Sequence, residues 1–261
     1  MRVHVVSDVH GHAEALARAG DGADALVVLG DLVDFVDYAN PAGGILGRVL
    51  GPDASAEFGR LRASGAPGEL MAFARQAWSR FPDPAAVIAD AVREQYDVMF
   101  AAMTAPTYAI AGNVDMPELW DEYVRPDLHH VDGQVVTIGG LRFGFVGGAP
   151  LRAGFVRRRG PWQPYLRPHE EFEAATRALS QVDVLCSHVP PAVPELAYDV
   201  RSRSSESSAA ALLEVVHRDR PRAALFGHVH QPLAARVRVG RTECVNVGYF
   251  RRTATPYVLR W

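Results

Sequence analysis

Five short, largely apolar runs in this chain each pass without a break into polar residues able to do chemistry. Residues 3–6 lead into Ser7-Asp8-Val9-His10, 25–29 into Gly30-Asp31, and 107–111 into Gly112-Asn113. Residues 182–186 lead into Ser187-His188, and 223–226 into Gly227-His228-Val229-His230. Continuous rather than alternating apolarity belongs to strands covered on both faces. Helical patterns lie between several of these runs. Pro168 and the acidic Glu170-Glu171 open one, with Phe172, Ala175 and Leu179 on one face. Another spans about 206–218, before Pro221. Residues 134–138 and 141–146 form a predicted hairpin across Gly139-Gly140, and 235–239 with 243–247 a second, followed by a strand over 256–260. The alternation predicts an α/β sandwich with helices outside.

Residues 36–105 are organised differently and read as a helical insertion. Within it, 38–68 are rich in glycine, proline and alanine and are expected to be irregular loop. Leu70, Phe73, Ala74, Ala77, Trp78 and Phe81 mark one helical stripe. Asp83-Pro84 is a helix start, and Ile88, Val92, Tyr96, Met99 and Met103 mark a second stripe behind it. At 261 residues the chain is expected to be a single domain, 1–261, carrying this insertion.

Composition narrows the function classes. A net charge of −3 and a pI near 6.4 argue against a nucleic-acid or membrane-surface binder. All 27 basic residues are arginine, which GC-rich coding explains without any functional demand. Cys186 and Cys244 fall in predicted buried strands and read as reduced core thiols. With neither a signal-peptide pattern nor a long apolar run, the expected location is the cytoplasm.

The five run ends offer Asp8, His10, Asp31, Asn113, His188, His228 and His230. Open α/β folds bind ligands at the carboxyl ends of strands, where all these clusters fall. On extended backbone, Asp-x-His and His-x-His would put two side chains on one side. Glycine precedes Asp31, Asn113 and His228, where close backbone approach or special dihedrals would be needed. Oxygen and imidazole without thiolate suit Mn, Fe, Zn or Co. Seven ligands exceed one tetrahedral ion. They fit two ions roughly 3.5–4 Å apart, the arrangement that hydrolyses phosphate esters.

These motifs, in this order, resemble the calcineurin-like metallophosphoesterases. That signature is Asp-x-His, Gly-Asp-x-x-Asp, Gly-Asn-His-Asp, a lone histidine and Gly-His-x-His. The chain carries Asp8-Val-His10, Gly30-Asp-Leu-Val-Asp34, Gly112-Asn-Val-Asp115, His188 and Gly227-His-Val-His230. The resemblance implies a four-layer α/β/β/α sandwich. It implies that Asp8, His10, Asp31 and His230 hold one ion, and Asp31, Asn113, His188 and His228 a second, with Asp31 bridging. A metal-bridging hydroxide would attack phosphorus, Asn113 would also approach a phosphoryl oxygen, and Asp34 and Asp115 would orient the site from behind.

Val114 departs from that pattern. The resemblance puts a histidine there, close to the leaving-group oxygen, as general acid. Valine has no proton to give, and general acid–base help is worth about 10²–10⁴-fold. Some branches with an apolar residue here resemble phosphodiesterases, and at least one is a protein-assembly scaffold. His12, two residues beyond His10, is a candidate substitute acid or phosphate contact. Arg157-Arg158-Arg159 beside Phe155, Trp162 and Tyr165 reads as a solvated charge run, with a nucleotide-binding surface as the sharper alternative. His4, His129, His130, His169 and His217 belong to no motif. The expected function is dimetal phosphoester hydrolysis of a small or cyclic-nucleotide-like phosphodiester, with manganese among the candidate metals. A phosphomonoesterase is the enzymatic alternative, and a catalytically weak metal-binding scaffold the alternative of another class. The motifs do not specify oligomeric state.

Overall fold

Each central strand is buried on both faces, and the continuous apolar runs follow from that. The computed structural model describes residues 1–151 and 160–261. The chain begins β1 (Arg2–Val6), α1 (Ala13–Ala19), β2 (Ala25–Val28), then α2 (Gly44–Leu50), α3 (Pro52–Ala63), α4 (Pro67–Trp78) and α5 (Pro84–Ala101). It continues β3 (Thr107–Ala109), β4 (Leu128–His130), β5 (Val135–Ile138), β6 (Leu141–Val146), α6 (His169–Ala178) and β7 (Val184–Ser187). It ends α7 (Ala210–Asp219), β8 (Ala223–Phe226), β9 (Arg236–Val239), β10 (Thr242–Asn246), α8 (Phe250–Thr253) and β11 (Tyr257–Arg260).

One sheet has the order β11-β1-β2-β3-β4, parallel except at the β11 edge. The other has the order β9-β10-β8-β7-β6-β5, parallel at its centre with the two expected hairpins at its edges. Val3, Val5, Val27 and Ile110 of the first sheet meet Phe143, Phe145, Val184 and Leu225 of the second in a core between the sheets. On the outer side of the first sheet, Val6, Leu26 and Val28 pack under α1 and α5. On the outer side of the second, Leu185, Ala224 and Phe226 pack under α6 and α7. The result is the four-layer α/β/β/α sandwich. His4 points to the helical side of β1, where its Nδ1 meets the Ala19 carbonyl at 2.8 Å and ties the strand to α1.

Residues 38–68 are not irregular loop. They hold α2 and α3, each beginning just after a glycine that ends the preceding segment. Gly44 takes a left-handed φ of 63°, while Gly47 is needed for packing: a Cβ on Gly47 would lie 2.2 Å from the Pro41 carbonyl oxygen. Glycine-rich composition therefore concealed a closely packed helix. The two amphipathic stripes do form helices, α4 and α5, and α5 buries Ile88, Val92, Tyr96 and Met99.

Helix α5 is tied to two strand-end loops by adjacent residues. The Gln95 amide accepts from the Asp34 N–H at 2.8 Å and donates to the Asp34 carbonyl at 3.1 Å, as a neighbouring strand would. The buried Tyr96 hydroxyl accepts from the Met116 N–H at 2.7 Å and donates to Asp115 at 3.4 Å. Tyr96→Phe keeps the ring but leaves the buried Met116 N–H without its partner, which costs about 1–3 kcal/mol. Urea unfolding is expected to show a lower midpoint with an unchanged m-value.

Candidate metal centre

The polar residues after β1, β2, β3, β7 and β8 converge at one end of the two sheets, but not on extended backbone. Asp8, His10, Asp31 and His228 all have left-handed φ, at 57°, 41°, 54° and 67°. Asp and His tolerate that region better than most residues, yet four such positions together mark a site held under constraint. The expectation that strand alternation aligns Asp8 with His10 and His228 with His230 is thus replaced. Each motif turns back on itself, and the loops run beside one another. The N–H groups of Asp8, His10 and Gly11 bond to the carbonyls of Gly30, Asp31 and Leu32 at 3.0, 2.8 and 2.9 Å.

The side chains brought together face one another with lone pairs. His188 Nδ1 meets the Leu29 carbonyl at 2.8 Å, so the ring proton is on Nδ1 and Nε2 is bare. In front of Nε2 stand Asn113 Oδ1 at 2.9 Å and Asp31 Oδ1 at 3.5 Å, both acceptors. His10 repeats the arrangement. Its Nδ1 meets the Val33 carbonyl at 3.1 Å, and its Nε2 faces Asp31 Oδ2 at 3.7 Å and His230 Nε2 at 3.4 Å. His230 Nε2 lies 3.4 Å from Asp8 Oδ1. His228 Nε2 is buried without a hydrogen-bond partner among the described residues. A cluster of acceptors aimed at acceptors suits cations, and backbone carbonyls on the far ring nitrogens orient histidine ligands for that purpose. Asp8, His10 and His230 form one group whose ligand atoms lie within 4.8 Å of one another, and Asp8, Asp31 and His188 a second. Asp31 turns one oxygen toward His10 and the other toward His188.

Electrostatics keep His10, His228 and Asp8 in metal-ready form, whereas His230 is drawn toward its protonated form by Asp8. Burial lowers the His10 pKa, and burial with neighbouring His188 lowers that of His228 to about 4, so both rings are neutral at pH 7. Burial alone would raise Asp8, but His230, His188 and His10 outweigh it and hold the carboxyl well below the usual range. Burial likewise pulls His230 down, and Asp8 more than reverses it.

Asp115 touches no ligand site directly. Its carboxylate accepts from the N–H groups of Gly112, Leu32 and Val33 at 2.8, 3.0 and 3.1 Å, and so joins the loops after β2 and β3. Burial and the charge of Asp31 raise its pKa to about 6. The glycines make the same joint possible. A Cβ on Gly30 would fall 2.1 Å from the Gly112 nitrogen, and one on Gly112 only 2.2 Å from Asp31 Oδ1. Gly227 is equally constrained, with Ser7 Oγ 2.0 Å from where its Cβ would be.

Val114 donates its N–H to Asp31 Oδ1 at 3.0 Å, while its side chain packs on the first core. Asp34 is nearly buried and pairs with Arg251 at 2.7 Å. Burial raises its pKa against the pull of that arginine. His12 Nδ1 meets the Arg251 carbonyl at 3.0 Å, and the ring lines a cavity of about 480 Å³ together with His10, Asp34 and Arg251. The sequence reading missed Arg251, and it missed Tyr249, which stacks on His230 at 3.9 Å and meets His10 edge-on at 5.8 Å. Neither follows a spacing motif. Arg157, Arg158, Arg159 and Phe155 lie outside the described residues. Trp162 stacks on Phe35 at 4.0 Å and Tyr165 bonds Asp132 at 2.8 Å, so both aromatics are engaged in packing.

A family model described as calcineurin-like phosphoesterase matches residues 1–232. A search of curated proteins gives no match. Among solved structures, the protein TT1561 of Thermus thermophilus is similar at 14% identity, with a TM-score of 0.55 over 99% of this chain and 98% of that one. Another is 16% identical, with a TM-score of 0.56 over 95% of this chain and 91% of that one. At such identities the likeness concerns the fold. Among the described residues, no helix is long and apolar enough to cross a membrane.

The acceptor cluster generates a direct expectation. Manganese added to about 100 times its dissociation constant should stabilise the metal-free chain by about 2.7 kcal/mol, read as a rise in melting temperature. Gly112→Ala, which drives a Cβ into Asp31, should abolish that rise.

Proposed function

We propose, on the premise that this chain belongs to the calcineurin-like phosphoesterase family, that it is a cytoplasmic hydrolase of a small phosphodiester working with two metal ions. The observation that carries this reading is the set of facing acceptors on His10, Asp31, Asn113 and His188, with His230 and Asp8 beside them. Asp8, His10, Asp31 and His230 would hold one ion, and Asp31, Asn113, His188 and His228 the other. When bound, such ions supply Lewis acidity at the phosphoryl oxygen and bring the pKa of water close to neutral. The ligand chemistry accommodates manganese, iron, zinc or cobalt.

The chain's own groups supply the rest. Asn113 is positioned by the Gly112 backbone and approaches a phosphoryl oxygen. Asp115 holds the two loops in register, and Asp34 fixes Arg251. His12, with its Nδ1–H committed to the Arg251 carbonyl, would reach phosphate or leaving group through Nε2, which donates only when both ring nitrogens carry protons. The preference for a diester rests on two features. Val114 leaves no donor for a poor alkoxide, and a monoester would bring a second negative charge toward Asp34 and Asp37. The single-domain organisation with its helical insertion at 36–105 belongs to the same reading, as does the cytoplasm, supported by the free buried thiols Cys186 and Cys244. A scaffold role is less well supported because every ligand position is filled.

The test is a panel on metal-reconstituted protein: an aryl phosphodiester, an aryl phosphomonoester and a cyclic nucleotide. Metal-dependent turnover is expected, higher on the diester. Asn113→Ala and His188→Ala should each lower it by about 10²-fold or more. His12→Ala should slow esters of poor leaving groups more than aryl esters. Turnover confined to the monoester would reverse the preference, and none on any ester would favour the scaffold.

A further inference from the structure

We propose that Arg251 is the group that receives the ester's departing oxygen, a fixed and non-titrating donor serving a site where Val114 offers none. The inference rests on the phosphoesterase reading above and deepens it.

Its first support is placement. The Arg251 N–H bonds to the Asp8 carbonyl and the Phe250 N–H to the Ser7 carbonyl, both at 3.0 Å, while the Arg251 carbonyl receives His12 Nδ1. The first turn of α8 is therefore laid along the loop that carries Asp8 and His10. The Arg251 side chain opens into the 480 Å³ cavity that His10 and His12 also line. This arginine lies beyond residue 232, where the family match ends.

The second support is preorganisation. Nη1 contacts Asp34 Oδ1 at 2.7 Å and Nη2 contacts Asp37 Oδ2 at 2.6 Å, and the side chain is 27% exposed. These contacts engage two of the five N–H groups of a guanidinium, and the others have no partner among the described residues. Asp34 is itself clamped at N–H and carbonyl by Gln95, so the arginine is steadied from the insertion. By contrast Arg48, on the same cavity, is held by Glu94 at 3.5 Å and the Gly44 carbonyl at 3.4 Å, and the Arg48 and Glu94 side chains are well exposed.

The chemistry separates this role from that of an acid. A guanidinium stays charged and yields no proton at working pH. As water oxygen joins phosphorus, the bond to the leaving oxygen breaks and its electron pair stays on that oxygen. Arg251 would hold the resulting anion until a solvent proton neutralises it. One cation between two carboxylates carries a net charge of −1, which tolerates a monoanionic diester better than a dianionic monoester. The substrate class that follows is a phosphodiester with an uncharged alcohol part lying in the cavity.

The test uses manganese-loaded protein, wild type and Arg251→Lys, which keeps the charge that Asp34 and Asp37 require but loses the fork. Calorimetry with dimethyl phosphate reads binding, and diphenyl phosphate against bis(4-nitrophenyl) phosphate reads leaving-group dependence. Arg251→Lys is expected to bind dimethyl phosphate about ten- to hundredfold more weakly. It should lose at least about tenfold more turnover on the phenyl than on the nitrophenyl ester, with its manganese retained. Equal binding in the two proteins, undetectable in both included, or equal losses on the two esters overturns the proposal. Loss of manganese from Arg251→Lys also overturns it, since the arginine would then be a prop of the metal loops. Arg251-dependent binding in a wild type that turns over neither ester would instead sink the phosphoesterase reading and leave Arg251 as an anion-binding residue.

Discussion

Asp115 lies where the loops after β2 and β3 meet, and its carboxylate takes three main-chain N–H groups, from Leu32 and Val33 on one side and Gly112 on the other. Those bonds hold two backbones so close that neither Gly30 nor Gly112 has room for a Cβ. Asp31 and Asn113, the neighbours of the joint, are thereby placed with His188 between β7 and the first sheet. A buried carboxylate that satisfies three donors and leaves no loose backbone is a strong constraint, because each unmatched buried group would cost on the order of 1–3 kcal/mol.

This joint explains how position 114 can change without loss of the cage. The Val114 main chain, not its side chain, bonds Asp31. The side chain packs beside the first core and is free to vary so long as it fits. The same site draws support from an element remote in sequence: α8 lays Tyr249 over the His230 ring and Arg251 against Asp34 and Asp37. The helices between β2 and β3 add Gln95 and Tyr96 from behind. Residues far apart in the chain thus fix the geometry of loops that have left-handed backbone and little regular structure of their own.

Much of this was legible because it repeats or clusters. Continuous apolar runs gave the doubly covered strands, Gly139-Gly140 gave a hairpin, and polar residues at five run ends located the site. The ladder between α5 and the loops was not legible, since a glutamine and a tyrosine on a helix announce no partner. The helices α2 and α3 were hidden by glycines, of which Gly47 serves packing and Gly44 and Gly51 take left-handed backbone at the helix starts. Strand alternation was the wrong reason for the convergence of Asp8 with His10, which depends on turns the sequence marks only by flanking glycines. Arg251 was invisible because its function comes from tertiary contacts with Asp8, Asp34 and Asp37.

In the proposed reading Asp31 would hold both cations, one oxygen turned toward His10 and the other toward His188. Metal analysis of the purified, manganese-reconstituted chain tests it most directly, with Asp31→Asn beside the wild type. Two ions per chain are expected in the wild type, and in Asp31→Asn the loss of both, or their retention only at far higher manganese. A single tightly bound ion, or two that survive Asp31→Asn undiminished, would contradict it.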